Sequence, residues 1–173
     1  MASDSVGMWQ ENITVARPEE IGAVDFDQIV AVIKSGGAVE ASGLAAGLTR
    51  AHLIAYAKVG GVVAGASAIK RPQENYALGI MSKSATKFDG TALELGYVSV
   101  GKRFRSEGLA GQLCRDLCGR YEQGLFATTS SPAMRKVLHS LEFVEAGQPW
   151  ESRLHVGQHL TLWLRTPCIS DNA

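Results

Sequence analysis

The chain has 173 residues, with 17 basic and 17 acidic side chains and a formal net charge of zero. This balance makes nucleic acid an unlikely partner, because proteins that bind by neutralising phosphates usually carry a basic excess. Hydrophobic residues make up 46% of the chain, which excludes disorder over most of it. No stretch reaches the roughly 18 apolar residues that a membrane-spanning helix needs.

The length indicates about one domain on the usual scale of roughly 150 residues per domain. We expect a flexible N-terminus over residues 1–10, a single domain over 11–167 and a C-terminal tail over 168–173. The first residues show no basic region followed by an apolar run, so a secretory signal is not predicted. A cytoplasmic protein without a membrane segment is therefore expected.

In the first third of the chain, Ile13 and Val15 indicate a short strand that Pro18 ends. Asp25 and Gln28 match a capping box, followed by apolar residues at helical spacing, which predicts a helix that stops at Gly36. Residues 39–50 fit a helix and a loop about equally. The sequence alone leaves that segment open.

The middle of the chain predicts a hairpin and a third strand. Two apolar runs, His52–Val59 and Val62–Ile69, are separated by two glycines, which supply the positive φ angles of a tight turn. Residues 71–90 indicate a loop or a short helix around Ala77–Met81, and Leu93–Val100 is a further strand.

The last third alternates helices and strands. Leucines spaced four apart from Leu109, with Tyr121, predict an amphipathic helix that Gly124 ends. The remaining predicted elements are a strand at Leu125–Thr129, a helix through Met134, Val137, Leu138 and Leu141, and strands at Phe143–Ala146 and His159–Leu164. This order predicts a mixed α/β (α+β) fold in one domain.

The three cysteines predict no disulfide framework. An odd number of cysteines without a secretory signal suits a reducing compartment, and Cys114 and Cys118 share one helix face. The four histidines form no metal-binding spacing with them. We therefore expect buried structural thiols and no metal site.

The segment from Leu93 to Ala110 carries the clearest chemical signal. It reads L-E-L-G-Y-V-S-V-G-K-R-F-R-S-E-G-L-A, a strand followed by a basic, glycine-containing loop that opens a helix. Helix N-termini have unpaired N–H groups and a positive dipole end, so such a loop suits an anion. The alternative, a solvated basic loop that only caps the helix, is about equally compatible with the residues.

This segment resembles the acyl-CoA loop of the GNAT N-acyltransferase superfamily. The family pattern is a strand ending in valine, followed five residues later by R/Q-x-x-G-x-G/A; here the valine is Val100 and the element is Arg105–Ala110. Residues 131–143 also resemble the family's next helix. The resemblance implies the GNAT acyl-CoA N-acyltransferase fold, in which helices flank a central, mostly antiparallel mixed sheet. It also implies acetyl-CoA or another acyl-CoA as co-substrate and no metal.

The resemblance implies coenzyme-binding roles for one strand end and one loop. The strand backbone would bind the pantetheine arm, with the amide of Val98 polarising the thioester carbonyl. The loop amides would bind the pyrophosphate, and Ser131 stands where the family has asparagine. The residues assigned in this way are Val98, Ser99, Val100, Arg103, Phe104, Arg105, Ser106, Glu107, Gly108, Leu109, Ala110 and Ser131.

The proton-transfer groups follow the family less closely. Glu94 stands where some members carry a basic carboxylate, although a strand-end salt bridge explains it as well, and Tyr97 is interpreted as core. The family's acidic tyrosine is replaced by Leu138, and its glycine before phenylalanine by Glu142. Ser130 is the candidate proton donor, with helix capping as the ordinary role of the serines there.

The resemblance implies transfer of an acyl group, in the first instance acetyl, from coenzyme A to a primary amine of a small molecule or peptide. The alternative, motivated by Leu138, is a degenerate module that binds acyl-CoA as a sensor or regulatory partner without turnover. The acceptor would be set by residues 20–50, 71–90 and 147–158, where Trp150 and Glu151 lie in an expected loop. A homodimer is left open.

Overall fold

The computed structural model describes Trp9 and residues 12–168. Within these residues the strands are β1 (Ile13–Ala16), β2 (Leu53–Val59), β3 (Val62–Lys70), β4 (Leu93–Val100), β5 (Leu125–Thr129), β6 (Val144–Glu151) and β7 (His159–Arg165). The helices are α1 (Ala23–Ser35), α2 (Leu44–Thr49), α3 (Tyr76–Ser84), α4 (Leu109–Cys118) and α5 (Pro132–Ser140). Short 3-10 turns lie at Pro18–Glu20 and Lys102–Phe104.

The strands form one seven-stranded sheet in the order β1-β2-β3-β4-β5-β7-β6. Strands β1, β2 and β3 pair antiparallel, as do β5, β7 and β6. Strand β4 pairs in parallel with β5, with Leu93 opposite Leu125 and Glu94 opposite Phe126. The predicted fold class, a mostly antiparallel mixed sheet flanked by helices, is confirmed.

The chain divides into two compact units that interleave in the sequence. The first unit contains the described residues up to Arg71 together with Leu95–Gly119, and the second contains Pro72–Glu94 and the described residues from Arg120 onward. The division falls within β4, between Glu94 and Leu95. Trp9 falls in the expected flexible N-terminus, yet its side chain is only 4% exposed. The rest of the expected N-terminal and C-terminal segments, residues 1–8, 10–11 and 169–173, lies outside the described part.

The core of the first unit is built from helices packed on β2 and β3. Helices α1 and α2 bury Ile29, Ile33 and Leu48 in one cluster with Ile54 of β2. Helix α4 packs against β3 and β2, and its stripe of Leu109, Leu113 and Leu117 is at most 1% exposed. Burying one such leucine contributes roughly 1.5–3 kcal/mol, so this stripe holds the start of α4 in place.

The core of the second unit surrounds Phe126 of β5. Ile80 of α3 and Leu162 of β7 join it in one buried cluster, and Trp150 packs against that cluster. The ring of Phe88 lies 5.0 Å from the ring of Phe126, centroid to centroid. Trp150 therefore contributes to the packing of the second unit.

Several predicted boundaries were wrong for local reasons. Helix α1 begins at Ala23 after Gly22, so Asp25 is not its N-cap but a first-turn residue whose carboxylate accepts from Lys58 at 2.8 Å. Helix α4 ends at Cys118, because Gly119 already provides its C-cap, and Tyr121 lies beyond it.

The ambiguous segments resolve into short elements. Residues 44–49 are helical, and α3 extends beyond the short helix considered at Ala77–Met81, from Tyr76 to Ser84. Strand β6 continues to Glu151 across an irregularity in its pairing between Ala146 and Trp150. Trp150 and Glu151 therefore lie on a strand and not in the expected loop.

None of the helices in the described part of the chain is both long and apolar enough to cross a membrane.

Candidate functional site

The first candidate is the segment of residues 101–110, which comprises the loop between β4 and α4 and the first two residues of α4. It is called the coenzyme loop below, after the role that the resemblance implies. It leaves β4 through Gly101, makes the 3-10 turn Lys102–Phe104, and enters α4 at Leu109. Ser106 has φ +65° and Gly108 has φ +80°, both in the left-handed region. These two residues turn the backbone so that successive amides face different directions than in a regular strand or helix.

The N-terminus of α4 carries no side-chain cap. Its N-cap is Gly108, and the first bond of the helix runs from the Gln112 N–H to the Gly108 carbonyl at 3.1 Å. The N–H groups of the first turn therefore have no partner within the helix. A Cβ atom placed on Gly108 would meet nothing within 4 Å, so the surface beside Gly108 is open. Such a helix start suits an anion.

Trp9 supports the coenzyme loop from its buried side. The indole N–H of Trp9 donates to the Glu107 carbonyl at 3.2 Å, and its ring meets Phe104 edge-on at 6.1 Å between centroids. The side chain of Arg105 turns back, and its Nε donates to the carbonyl of Val100 at 3.1 Å. A single bulky residue near the N-terminus was the only sequence signal for this support, and the sequence analysis missed it.

The predicted loop residues divide by exposure. Phe104 and Ala110 are half-buried, Leu109 is buried, and the exposed members are Arg103, Arg105, Ser106, Glu107 and Gly108. The Cζ of Arg103 lies 5.7 Å from the ring centroid of Phe104, so the guanidinium stays at the surface. The structure therefore brings two arginines and the uncapped start of α4 together in one exposed loop.

The end of β4 precedes this loop. Val98 and Val100 are half-buried, and Ser99 is 9% exposed. The Ser99 hydroxyl donates to the carbonyl of Val32 on α1 at 2.9 Å. The Ser99 side chain thus attaches α1 to β4.

Tyr97 interrupts the regular alternation of β4. Its φ of +54° is a left-handed conformation inside an extended strand, which a residue with a bulky side chain rarely adopts. Its hydroxyl lies so close to Gly47 that a Cβ there would collide with it. Tyr97 packs on the core of the first unit, which confirms its interpretation as core.

The candidate base, Glu94, belongs to the second unit. It is 5% exposed and lies on β4 where that strand pairs with Phe126 of β5.

The serines before α5 have separate partners. Ser131 is the N-cap of α5, and its hydroxyl oxygen accepts from the Met134 N–H at 3.2 Å. The hydroxyl of Ser130, which is half-buried, donates to the side-chain oxygen of Gln158 at 3.1 Å. The capping role considered for Ser131 is confirmed, and neither the coenzyme role of Ser131 nor the donor role of Ser130 is tested by these contacts.

The backbone of α5 follows the family pattern where its side chains do not. Leu138, at the position of the family's tyrosine, is 0% exposed and belongs to the core. Glu142, at the position of the family's glycine, has φ +67°, the conformation that favours glycine. Phe143 follows, 1% exposed, and its N–H donates to the Leu138 carbonyl at 3.1 Å.

The three cysteines are free thiols. Cys114 and Cys118 are buried free thiols, as expected, and Cys168 is exposed. Burial raises the pKa of the Cys114 thiol, so it stays protonated and unreactive. Among the described residues, no group of three or more His, Cys, Asp or Glu side chains is placed to hold a metal ion.

Comparison with known proteins gives structural matches only. No protein-family model matches the chain, and no curated protein matches its sequence. An acyl-CoA N-acyltransferase from Pseudomonas aeruginosa matches the structure with a TM-score of 0.66 and 12% identity, over 90% of this chain and 99% of that one. The ribosomal-protein-S18-alanine N-acetyltransferase from Escherichia coli matches with a TM-score of 0.63 and 14% identity, over 93% and 98%.

A third match holds a coenzyme. The acetyltransferase structure yncA from Salmonella typhimurium, which contains its cofactor acetyl-CoA, has a TM-score of 0.63 and 17% identity to this chain, over 94% of this chain and 99% of its own. Identities of this size establish similarity of fold and not of substrate. The chain therefore has the fold of the GNAT acyl-CoA N-acyltransferases, as the resemblance of its coenzyme loop implied.

Proposed function

We propose that the protein is an acyl-CoA-dependent N-acyltransferase that moves an acyl group, acetyl in the first instance, to a primary amine of a small molecule or peptide. The observation that carries the proposal is the uncapped start of α4, with an open surface beside Gly108 and two exposed arginines in the same loop. Backbone N–H groups at a helix start are suited to a pyrophosphate.

In this proposal the coenzyme loop binds the pyrophosphate of acyl-CoA through backbone donors. Arg103 and Arg105 add positive charge, and Trp9 keeps the loop in place from the buried side. The backbone of Val98–Val100 binds the pantetheine arm. The amide of Val98 donates to the thioester oxygen and stabilises the negative charge that forms there during attack.

The chemical step is direct transfer. The amine nitrogen attacks the thioester carbonyl carbon, the C–N bond forms, and the C–S bond breaks with the electron pair leaving on sulfur. The amine gives up a proton, for which Glu94 is the proposed acceptor, directly or through water. The thiolate takes up a proton, for which Ser130 is the proposed donor, with water as the simpler alternative.

A second function fits the same coenzyme loop. The residue at the position of the family's acidic tyrosine is the fully buried Leu138, which has no proton to donate. A module that binds acyl-CoA and regulates a partner would retain the loop and lose this side chain. Turnover distinguishes the two functions, because only the enzyme releases free coenzyme A thiol from acetyl-CoA when amines are supplied.

The first experiment compares thermal unfolding with and without acetyl-CoA. A ligand at about 100 times its Kd stabilises the folded state by about 2.7 kcal/mol, and each kcal/mol raises the Tm by roughly 2–4 °C for a chain of this size. We expect a rise of several degrees, larger for acetyl-CoA than for adenosine 3',5'-bisphosphate. No rise with either compound would contradict the proposal and leave the loop as a helix cap.

A further inference from the structure

One end of the β1–β2–β3 ladder collects basic side chains from three distant parts of the chain. In the register of this ladder, Ala16 lies opposite Ile54 and Leu53 lies opposite Ile69. Arg17 follows β1, His52 precedes β2, and Arg71 follows β3, so the pairing places these three at the same end. We call Arg17, His52 and Arg71 the basic edge; all belong to the first unit.

Two members of the basic edge are in direct contact. The Nη2 of Arg71 lies 3.1 Å from the Nδ1 of His52. A guanidinium has only donors, so Nδ1 accepts and carries no proton in this arrangement. Partial burial lowers the pKa of His52, and the charges of Arg71 and Arg17 lower it further. The imidazole thus senses a positive electrostatic potential.

The other charged groups near the basic edge are of both signs. The carboxylate of Glu20 accepts from the backbone N–H of Arg17 at 2.8 Å, and exposed Arg50 lies two residues before His52. Arg17 and Arg71 are both exposed. Two exposed guanidinium groups beside a neutral imidazole form a place where a small oxyanion gains charge-assisted hydrogen bonds.

The basic edge continues towards the part of β4 that the proposed function uses. Lys70 precedes Arg71, and its Nζ lies 4.1 Å from the ring centroid of Tyr97. Tyr97 in turn precedes Val98, whose amide is proposed to contact the thioester. Within the first unit, therefore, one cation–π contact, from Lys70 to Tyr97, joins a chain neighbour of the basic edge to a chain neighbour of Val98.

We propose that the basic edge binds an oxyanion, a carboxylate or a phosphate, carried by the amine that accepts the acyl group. This inference rests on the proposed function for its acceptor and names the class of that acceptor. Arginine is suited to the role because its planar guanidinium donates two parallel hydrogen bonds to a carboxylate or phosphate.

The binding test follows His52 in the full chain by NMR, with its imidazole signal assigned from His52→Gln. Sodium acetate and sodium phosphate are titrated separately, with sodium chloride at matched ionic strength. A bound anion stabilises the imidazolium, so the pKa of His52 should rise. The imidazole signal should shift with anion concentration until the site is saturated. The change should disappear in Arg71→Gln and Arg17→Gln and persist in Arg120→Gln, an exposed arginine outside the basic edge.

Three results would overturn the binding site. The first is a response to acetate and phosphate no different from that to chloride, and the second is a saturable response that survives both Arg71→Gln and Arg17→Gln. The third is a response only to a polyanion such as a single-stranded oligonucleotide, which would indicate a nucleic-acid surface instead.

The acceptor test uses matched amines that carry a carboxylate, a phosphate or a neutral amide at the same position. Loss of a charge-assisted hydrogen bond reduces affinity by about tenfold or more. Arg71→Gln should lower kcat/KM by that factor for the preferred anionic amine and leave kcat/KM for the neutral amine unchanged. Whether the carboxylate amine or the phosphate amine has the higher kcat/KM in the unaltered protein shows which of the two anions the basic edge binds.

The two proposals fail in different ways. Turnover without preference for anionic amines, or with equal losses for all amines in Arg71→Gln, overturns the acceptor class and leaves the transferase standing. Turnover of no amine, with a saturable response of His52, contradicts the transferase and with it the acceptor class, while the anion site itself remains.

Discussion

The coenzyme loop lies in the first unit, and residues 130–143, which follow β5 and contain α5, lie in the second; the latter are called the β5–α5 segment. The two preserve the family pattern in different ways. In the coenzyme loop, the element Arg105–Ala110 keeps both the motif and the left-handed N-cap at Gly108. In the β5–α5 segment the backbone keeps its left-handed turn at Glu142, although the glycine is gone, and the tyrosine position holds buried Leu138.

The difference separates a role that the backbone can perform from a role that needs a particular side chain. Pyrophosphate binding at a helix start uses N–H groups that every residue except proline supplies, so a glycine and a turn are enough. Proton donation needs one particular side chain, and a leucine cannot replace it. The proposed function accordingly places coenzyme binding on the backbone of the loop and proton donation on a group other than Leu138, either Ser130 or water.

The largest expected effect tests whether Leu138 belongs to the core and not to a site. Replacing this fully buried leucine by alanine leaves a cavity, and Leu138→Ala should destabilise the fold by about 2–5 kcal/mol. Leu162→Ala, also fully buried in the second unit, is the matched control. Thermal unfolding should show lower Tm values for both variants, with the rise caused by acetyl-CoA intact. A selective loss of that rise in Leu138→Ala would place Leu138 at the ligand.

The next effect tests the coenzyme loop. Gly108→Glu puts bulk and negative charge into the open space beside Gly108 at the start of α4, so it should abolish the stabilisation of about 2.7 kcal/mol expected from acetyl-CoA at 100 times its Kd. Gly61→Glu is the control, because Gly61 has φ +78° and equally clear surroundings, and both variants carry the same backbone strain. If acetyl-CoA stabilises both variants equally, the loop does not bind the pyrophosphate.

The smallest effect concerns Ser131, where capping and coenzyme binding compete as explanations. Ser131→Ala removes the cap on the Met134 N–H and should cost about 1 kcal/mol, or roughly 2–4 °C in Tm. Ser131→Asp keeps a capping oxygen and should restore the lost stability. A further loss of the acetyl-CoA effect in Ser131→Ala would support the coenzyme role, and an unchanged effect would leave capping as its whole role.

The sequence determined most elements because their signals are local. Two glycines between apolar runs predicted the β2–β3 hairpin, and leucines spaced four apart predicted α4. The coenzyme loop was also predictable, since its turn residues, helix start and charges are consecutive in the chain. Boundaries failed where a cap was ambiguous, as at Asp25, whose carboxylate pairs with Lys58 instead of capping α1.

Tertiary structure alone decided what depends on residues far apart in the chain. Trp9 supports the coenzyme loop at Glu107 across a separation of 98 residues, and no local pattern records that contact. The basic edge exists only because strand register aligns residues 17, 52 and 71, which the even charge balance of the sequence conceals. Periodicity and turn chemistry act over a few residues, whereas strand pairing and burial bring together distant ones, so the first could be determined from the sequence and the second required the fold.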